Sequence, residues 1–404
     1  MRAAATVLLF LLQSPDFNEE GRKALEAQKY EEAAQSFSKA IAADATDYTA
    51  HFHLALAESM LKKDAEATAE YKKVLELKPD LYEAQLNLGI LLLRQKQAEA
   101  AVPCLQKAAD KKPTEYRPRF YLAEALLAAG DAAKAEENYK LAGEINPKSA
   151  GVELGLAHAE AHQNRLSDAA PHFRKAAELD PSYKDALLEL ASLYEKDHQT
   201  DEAIAIYRQF PESAGAQERM GALLLESKKY ADAVPGLEQA YQKEPTPANR
   251  LALAAAYQFN RQFDKAEPLF AQASAADPEN YDVHMMYARV LRDQKKYPDA
   301  AQQFAEAVKR KPASREAWND LAGMLYLTGN LPQALEAFDR ARQLGEDTPA
   351  NDYFHAIIYD KLRDLKPALE FYRKFLAVSQ GKNPDEEFKA RQRARIIQRE
   401  LSKK

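Results

Sequence analysis

"AEATAEYKKVLELKPD", residues 65–80, carries the spacing that decides the fold. Ala67 is followed four residues later by Tyr71, three further on by Val74, and five after that by Pro79. The same measure recurs in "EEAAQSFSKAIAAD" (31–44), "AAKAEENYKLAGEINP" (132–147), "SDAAPHFRKAAELDP" (167–181) and "PDAAQQFAEAVKRKP" (298–312). Self-similarity at a fixed period marks an array of stacked supersecondary units. Extended both ways, the register gives repeats beginning at about 14, 48, 82, 116, 150, 184, 214, 247, 281, 315 and 349.

Three positions recur in all eleven repeats. The eighth is small: Gly21, Ala55, Gly89, Ala123, Ala157, Ala191, Gly221, Ala254, Ala288, Ala322 and Ala356. The twentieth is Ala, from Ala33 through to Ala368. The twenty-fourth is large: Phe37, Tyr71, Leu105, Tyr139, Phe173, Tyr207, Leu237, Phe270, Phe304, Phe338 and Tyr372. Two antiparallel helices approach closely only where both carry small side chains, and a large residue one turn on fills the space that opens beyond the crossing. Such a pair cannot bury its apolar face alone, so pairs must stack.

This pattern resembles the tetratricopeptide repeat family, whose signature is Trp-x2-Leu-Gly-x2-Tyr, then Ala-x3-Phe-x2-Ala and a closing Pro. The tenth repeat carries Trp318, Leu321, Ala322, Leu325, Ala334, Phe338 and Ala341 at the matching places, without the Pro. The resemblance implies an all-α fold: a right-handed α-solenoid superhelix of about eleven helix-turn-helix repeats over 14–382. The sixth repeat, ending in "RQFPESAG", is about four residues short, which predicts a change of pitch dividing the array into 14–213 and 214–382. Pro103, Pro171, Pro235 and Pro268 stand at position 22, expected near the start of a second helix, where a missing N–H is tolerated. Residues 383–404 read as a basic amphipathic capping helix, with Phe388, Ile396, Ile397 and Leu401 as its apolar face.

Composition bounds the function. The chain has 404 residues, 46% hydrophobic and 29% charged, with net charge −6, so it has no overall positive field to attract nucleic acid. The single cysteine, Cys104, excludes a disulfide framework. Residues 1–13 hold "AAATVLLFLL", too short to span a bilayer and of the length of a secretory signal's apolar centre. This favours an exported, bacterial protein, periplasmic or extracellular. No small-x-small cleavage site follows, and if the segment is no signal the protein is cytoplasmic.

In the family that the pattern resembles, positions 2, 5, 9, 12 and 13 of each first helix face a concave groove. Here those places and their neighbours carry Phe52, Leu56 and Met60, then Leu86, Asn87, Ile90 and Arg94, then Arg117, Phe120 and Glu124. Later repeats carry Met285, Arg289 and Arg292, then Asn319 and Tyr326, then Tyr353, Ile357 and Asp360. Mixed aromatic, Met and Arg surfaces suit a peptide or helix of a protein partner. The Lys and Asn clamp with which some members hold a partner's C-terminal carboxylate is not assembled: the second repeat presents Phe52, His53 and Leu56.

Enzyme signatures are absent, with no phosphate-cradling Gly-rich loop, nucleophile elbow or HExxH, so neither catalysis, a cofactor nor a small-molecule substrate is expected. "LGLAHAEAHQNRL" (154–166) places His158 and His162 at positions 9 and 13 of the fifth repeat, on one helix face. They make at most half a metal site, with Glu124 the one nameable third ligand, and Glu160 points about 200° away round the helix. Two polar groove residues is the better description. The alternative to a protein-binding scaffold is nucleic-acid association through Lys389, Arg391, Arg393, Arg395 and Arg399, which no interleaved aromatics support.

Overall fold

The computed structural model describes residues 16–345 and 348–403, and all regular structure among them is helical. The apolar 1–13 segment lies outside the described residues. The chain forms two compact units, Met1–Gln199 and Thr200–Lys404.

The first unit contains α1 (Phe17–Glu26), α2 (Tyr30–Ala43), α3 (Tyr48–Met60), α4 (Asp64–Leu77), α5 (Tyr82–Arg94), α6 (Ala98–Lys111), α7 (Tyr116–Ala128), α8 (Ala132–Ile145), α9 (Ala150–His162), α10 (Leu166–Leu179) and α11 (Ala186–Lys196). The second contains α12 (Thr200–Tyr207), α13 (Ala214–Glu226), α14 (Tyr230–Lys243), α15 (Pro247–Phe259), α16 (Phe263–Ala276), α17 (Tyr281–Asp293), α18 (Tyr297–Arg310), α19 (Arg315–Leu327), α20 (Leu331–Gln343), α21 (Pro349–Lys361), α22 (Leu365–Ser379) and α23 (Pro384–Leu401). The fold is an all-α solenoid of helix pairs. The unit border falls inside the sixth repeat, where the sequence register places it after residue 213. The helices on either side, α11 and α12, span only 11 and 8 residues. Pro181–Tyr183 form a 3-10 turn that delays α11 to residue 186.

The large side chains at position 24 form the spine of each unit: Phe37, Leu105, Tyr139, Phe173, Leu237, Phe270 and Phe304 are fully buried. A Cβ built on Gly21 would fall 2.6 Å from the Phe37 ring, and one on Gly89 or Gly221 would collide with Leu105 or Leu237. Position 8 is therefore small because position 24 is large. Truncating one of these residues to Ala costs about 3–5 kcal/mol when the site cannot collapse.

The turn inside each repeat is a backbone device. The residue at position 15 has positive φ in all eleven, and only Gly130 and Gly329 are glycine; Gln28, Lys62, Lys96, Asn164, His198, Lys228, Arg261, Lys295 and Arg363 fill the rest. In the second repeat Lys63 N donates to Glu58 O at 2.9 Å and Lys62 N to Ser59 O at 3.1 Å, which closes the exposed carbonyls at the end of α3. Most first helices start on side-chain caps: Asp47, Ser149, Ser213, Thr246, Asn280, Ser314 and Thr348 each accept a backbone N–H of the first turn, whereas α5, α7 and α11 have no such cap. The four position-22 prolines lie as the sixth residue of α6, α10, α14 and α16, one turn deeper than the sequence reading placed them. All four are exposed, so the ring and the lost N–H bond face solvent.

The C-terminal helix α23 packs on α22 through Ala390 and Ile397, both buried. Its rotation differs from the sequence expectation. Phe388 and Ile396, assigned to the buried face, point outward and are 64% and 44% exposed. Arg393 sets that rotation, donating to both Asp360 oxygens at 2.6 and 2.8 Å.

Candidate functional site

In the first unit, α3, α5 and α7 bring forward the expected apolar residues. Phe52, Leu56, Ile90 and Phe120 are half-buried, and Met60 is 52% exposed. Phe52, Ile90 and Phe120 rest on one continuous core cluster. Phe52 stands edge-on to Tyr71 (5.7 Å between ring centres) and Phe120 edge-on to Tyr139 (6.0 Å), so each is held by the position-24 ring of its own repeat. Beside Phe52 lies an apolar cleft of about 180 Å³, lined by Tyr48, Thr49, Phe52, His53, Leu81 and Glu83.

Other expected residues are engaged inside the array. Leu86 and Met285 are buried, at 5% and 3% exposure, and offer no surface. Position 5 points between core and solvent, and a flexible aliphatic chain there folds inward. Asn87 donates to the Tyr71 hydroxyl at 3.3 Å. Arg94 reaches back one repeat to hold Asp64 in a fork and to donate to Ser59 Oγ at 3.1 Å. Glu124 accepts the Tyr139 hydroxyl hydrogen; burial, with the Glu124 charge adding to it, raises that phenol far above its ordinary range. Arg117 stays exposed, its guanidinium 6.0 Å over the Tyr121 ring.

The corresponding face of the second unit is charged. Arg289 donates to Glu316 at 2.6 Å and lies 3.8 Å from Asp320, and Arg292 lies 3.9 Å from the same carboxylate. Burial raises the Asp320 carboxyl, and the two arginines oppose that. Asn319 Oδ1 is buried without a hydrogen-bond partner among the described residues. Tyr326 stands edge-on to Phe354 with Lys361 over its ring at 4.7 Å. Tyr353 packs against Phe375 at 4.8 Å, Ile357 is half-buried, and Asp360 is taken by Arg393.

The two histidines of 154–166 separate. His158 Nε2 lies 3.0 Å from Glu189 Oε2 of the next repeat, and that contact is the main cause lowering the Glu189 carboxyl. His162 Nδ1 turns back to the carbonyl of His158 at 2.9 Å. Glu160 is buried on the other side of α9, 3.8 Å from His172. Among the described residues no group of three or more His, Cys, Asp or Glu is arranged to hold a metal ion.

Sequence reasoning missed a set of polar pairs between positions 4 and 23 of the same repeat: His51 with Glu70 (2.5 Å), Arg119 with Asn138 (3.2 Å), Glu153 with His172 (2.6 Å) and His284 with Gln303 (2.8 Å). The constant separation of 19 residues was the available signal. In the second and fifth repeats a glutamate at position 11 joins the pair, so His51, Glu58 and Glu70 mirror His172, Glu160 and Glu153 with one acid and the histidine exchanged. Both position-11 acids have an Oε2 atom without a hydrogen-bond partner among the described residues. Burial, then repulsion from Glu70 and Glu66 against the pull of Lys63, pushes Glu58 up to about 7. Burial also raises Glu160. In Glu136, by contrast, Lys140, Gln163 and Arg165 overcome burial and hold the carboxyl at about 2.

Comparison with known proteins follows the same pattern. Profiles described as tetratricopeptide repeat match residues 18–82, 251–314 and 288–349, and a second form matches 92–156 and 160–224. A 113-residue stretch is 26% identical to the Hsp70-Hsp90 organizing protein 1 of Glycine max, covering 28% of this chain and 20% of that protein. A 168-residue stretch is 28% identical to the Type IV pilus assembly protein PilF of Pseudomonas aeruginosa, covering 41% of this chain and 66% of that protein. The chain thus spans a fifth of the first relative and just under two thirds of the second. Among solved structures, MamA of Desulfovibrio magneticus RS-1 aligns at 23% identity over 41% of this chain and 94% of its own, with a TM-score of 0.39. A MamA from AMB-1 aligns at 27% over 42% and 99%, with a TM-score of 0.40. With the position-8, position-20 and position-24 packing continuous through the matched segments, the chain belongs to the tetratricopeptide repeat family.

Proposed function

We propose that the protein is a non-catalytic scaffold that binds a peptide or helix of a protein partner along the first-helix face of α3, α5 and α7. The carrying observation is that Phe52, Leu56, Met60, Ile90 and Phe120 keep open apolar surface on successive first helices, beside a small apolar cleft. A partner's apolar side chains gain burial there without displacing an ion pair, and rigid aromatic anchors are the usual carriers of such binding. Arg117, exposed at the start of α7, is left to fix the partner's register. On the second unit Arg289 is paired with Glu316 and Arg292 with Asp293, both beside Asp320, and a ligand there would have to compete with these carboxylates.

The test is a pull-down from the native cell with wild-type bait and with Leu56→Glu/Ile90→Glu bait of matched helical circular dichroism. Partners recovered by the first and lost from the second support the assignment. The same proteins on both baits would refute it. Export through the 1–13 segment belongs to the same proposal, and an intact N-terminus recovered from the cytoplasm would overturn it.

A further inference from the structure

The outward face of α23 does not look like a cap made only for solubility. Ala390, Ile397 and the Arg393–Asp360 fork fix which side of the helix meets the array. The opposite side carries Phe388, Lys389, Arg391, Gln392, Arg395, Ile396, Arg399 and Lys403, all exposed. Phe388 is the most exposed of the large hydrophobic residues described. Arg391 leans on Glu387 at 2.6 Å, while Arg395 and Arg399 have no ion-pair partner among the described residues. Apart from Asp385, exposed at the N-terminal end of the same face, every charge on the strip is positive, on a chain whose net charge is −6.

We propose that this face docks peripherally on an anionic lipid bilayer. The sign of the strip requires a polyanionic partner. Phe388 and Ile396 narrow the choice, because they lie two turns apart, about 12 Å, within the same strip. A phosphodiester backbone gives neither of them anything to bury against, and a single strand offers stacking to Phe388 but not to the branched Ile396. The headgroup and acyl boundary of a bilayer takes cationic and apolar side chains together, along a helix lying in its plane. Among the described residues no helix is long and apolar enough to cross a membrane, so the contact is at the surface.

The experiment is flotation of the full chain with neutral phosphatidylcholine vesicles and with vesicles that also contain phosphatidylglycerol. The expected result is binding to the anionic vesicles only, falling about fivefold for each basic residue lost, so that Arg395→Glu/Arg399→Glu abolishes it. Phe388→Trp, read against the background of Trp318, is expected to shift its emission to the blue on anionic vesicles. All three positions are exposed, and unchanged circular dichroism checks the fold. Failure to float with anionic vesicles overturns the proposal, as does floating that survives the Arg395/Arg399 exchange or leaves the Phe388→Trp emission unmoved. A salt-sensitive oligonucleotide gel shift without flotation would assign the strip to nucleic acid instead. None of these outcomes depends on the groove of α3, α5 and α7.

Discussion

Replacing Glu58 by Gln should strengthen the second repeat, by an amount that grows as the pH rises from 4.5 to about 7 and is full above that. Glu58 sits half-buried on α3 with one carboxylate oxygen lacking a hydrogen-bond partner, and faces Glu70 and Glu66 with Lys63 as the opposing charge. Glu70 is in turn held by His51 at 2.5 Å. Lifting a carboxyl from 4.5 to about 7 corresponds to about 3.4 kcal/mol if none of it were screened. Because Glu58 is only half-buried, screening by solvent reduces this to roughly 1–2 kcal/mol. The sign follows from proton binding. Between pH 4.5 and about 7 the folded state holds more protons at this site than the unfolded state, so stability falls as pH rises through that window. Below it the penalty vanishes, and above it the penalty is complete. Hydrogen exchange of the 48–77 segment, wild type against Glu58→Gln at the same pH, reads this directly. The variant should exchange about 5–30 times more slowly at pH 8, with the two alike near pH 4.5. Equal protection at pH 8, or faster exchange in the variant, would refute the account of Glu58 as a strained buried acid.

Two further outcomes test the packing. Gly89→Ala should cost about 1–3 kcal/mol in thermal or denaturant unfolding, because its Cβ meets the fully buried Leu105; Gly323→Ala, with nothing within 4 Å, should instead gain up to about 1 kcal/mol from helix propensity. Arg393→Ala should release α23, leaving Asp360 uncompensated at a cost of about 1–2 kcal/mol and opening 384–401 to limited proteolysis while the earlier repeats stay protected.

The helix pairs were legible because packing repeats itself: one small and one large position, fixed by the crossing, place α3, α5, α7 and α9 at the residues where the register puts them. The turn was not legible from glycine. A left-handed residue costs a non-glycine side chain only about 1 kcal/mol, which the carbonyl-closing bonds offset, so lysine serves at Lys62, Lys96, Lys228 and Lys295. The candidate site was read in part. Phe52, Ile90 and Phe120 keep open surface, but helical position alone does not distinguish them from Leu86 and Met285, whose flexible chains fold into the core. Arg94 and Asp360 were misjudged for another reason: their partners, Asp64 and Arg393, lie a repeat away in sequence, and charge pairing across repeats leaves no local pattern. The same ion pair turned Phe388 outward against the expectation from apolar spacing.

The substantial helix packings within each unit reach no further than the second helix along the chain. Contact order is therefore low, and low contact order favours rapid folding from local nuclei rather than a search for distant partners. During synthesis, α1 to α4 can close their shared core before the later repeats exist, and each new pair can add to a finished edge. The growing end always carries an uncovered apolar face. At the edge left by α22 that exposure is covered by α23, whose buried Ala390 and Ile397 take the place a further helix pair would otherwise fill.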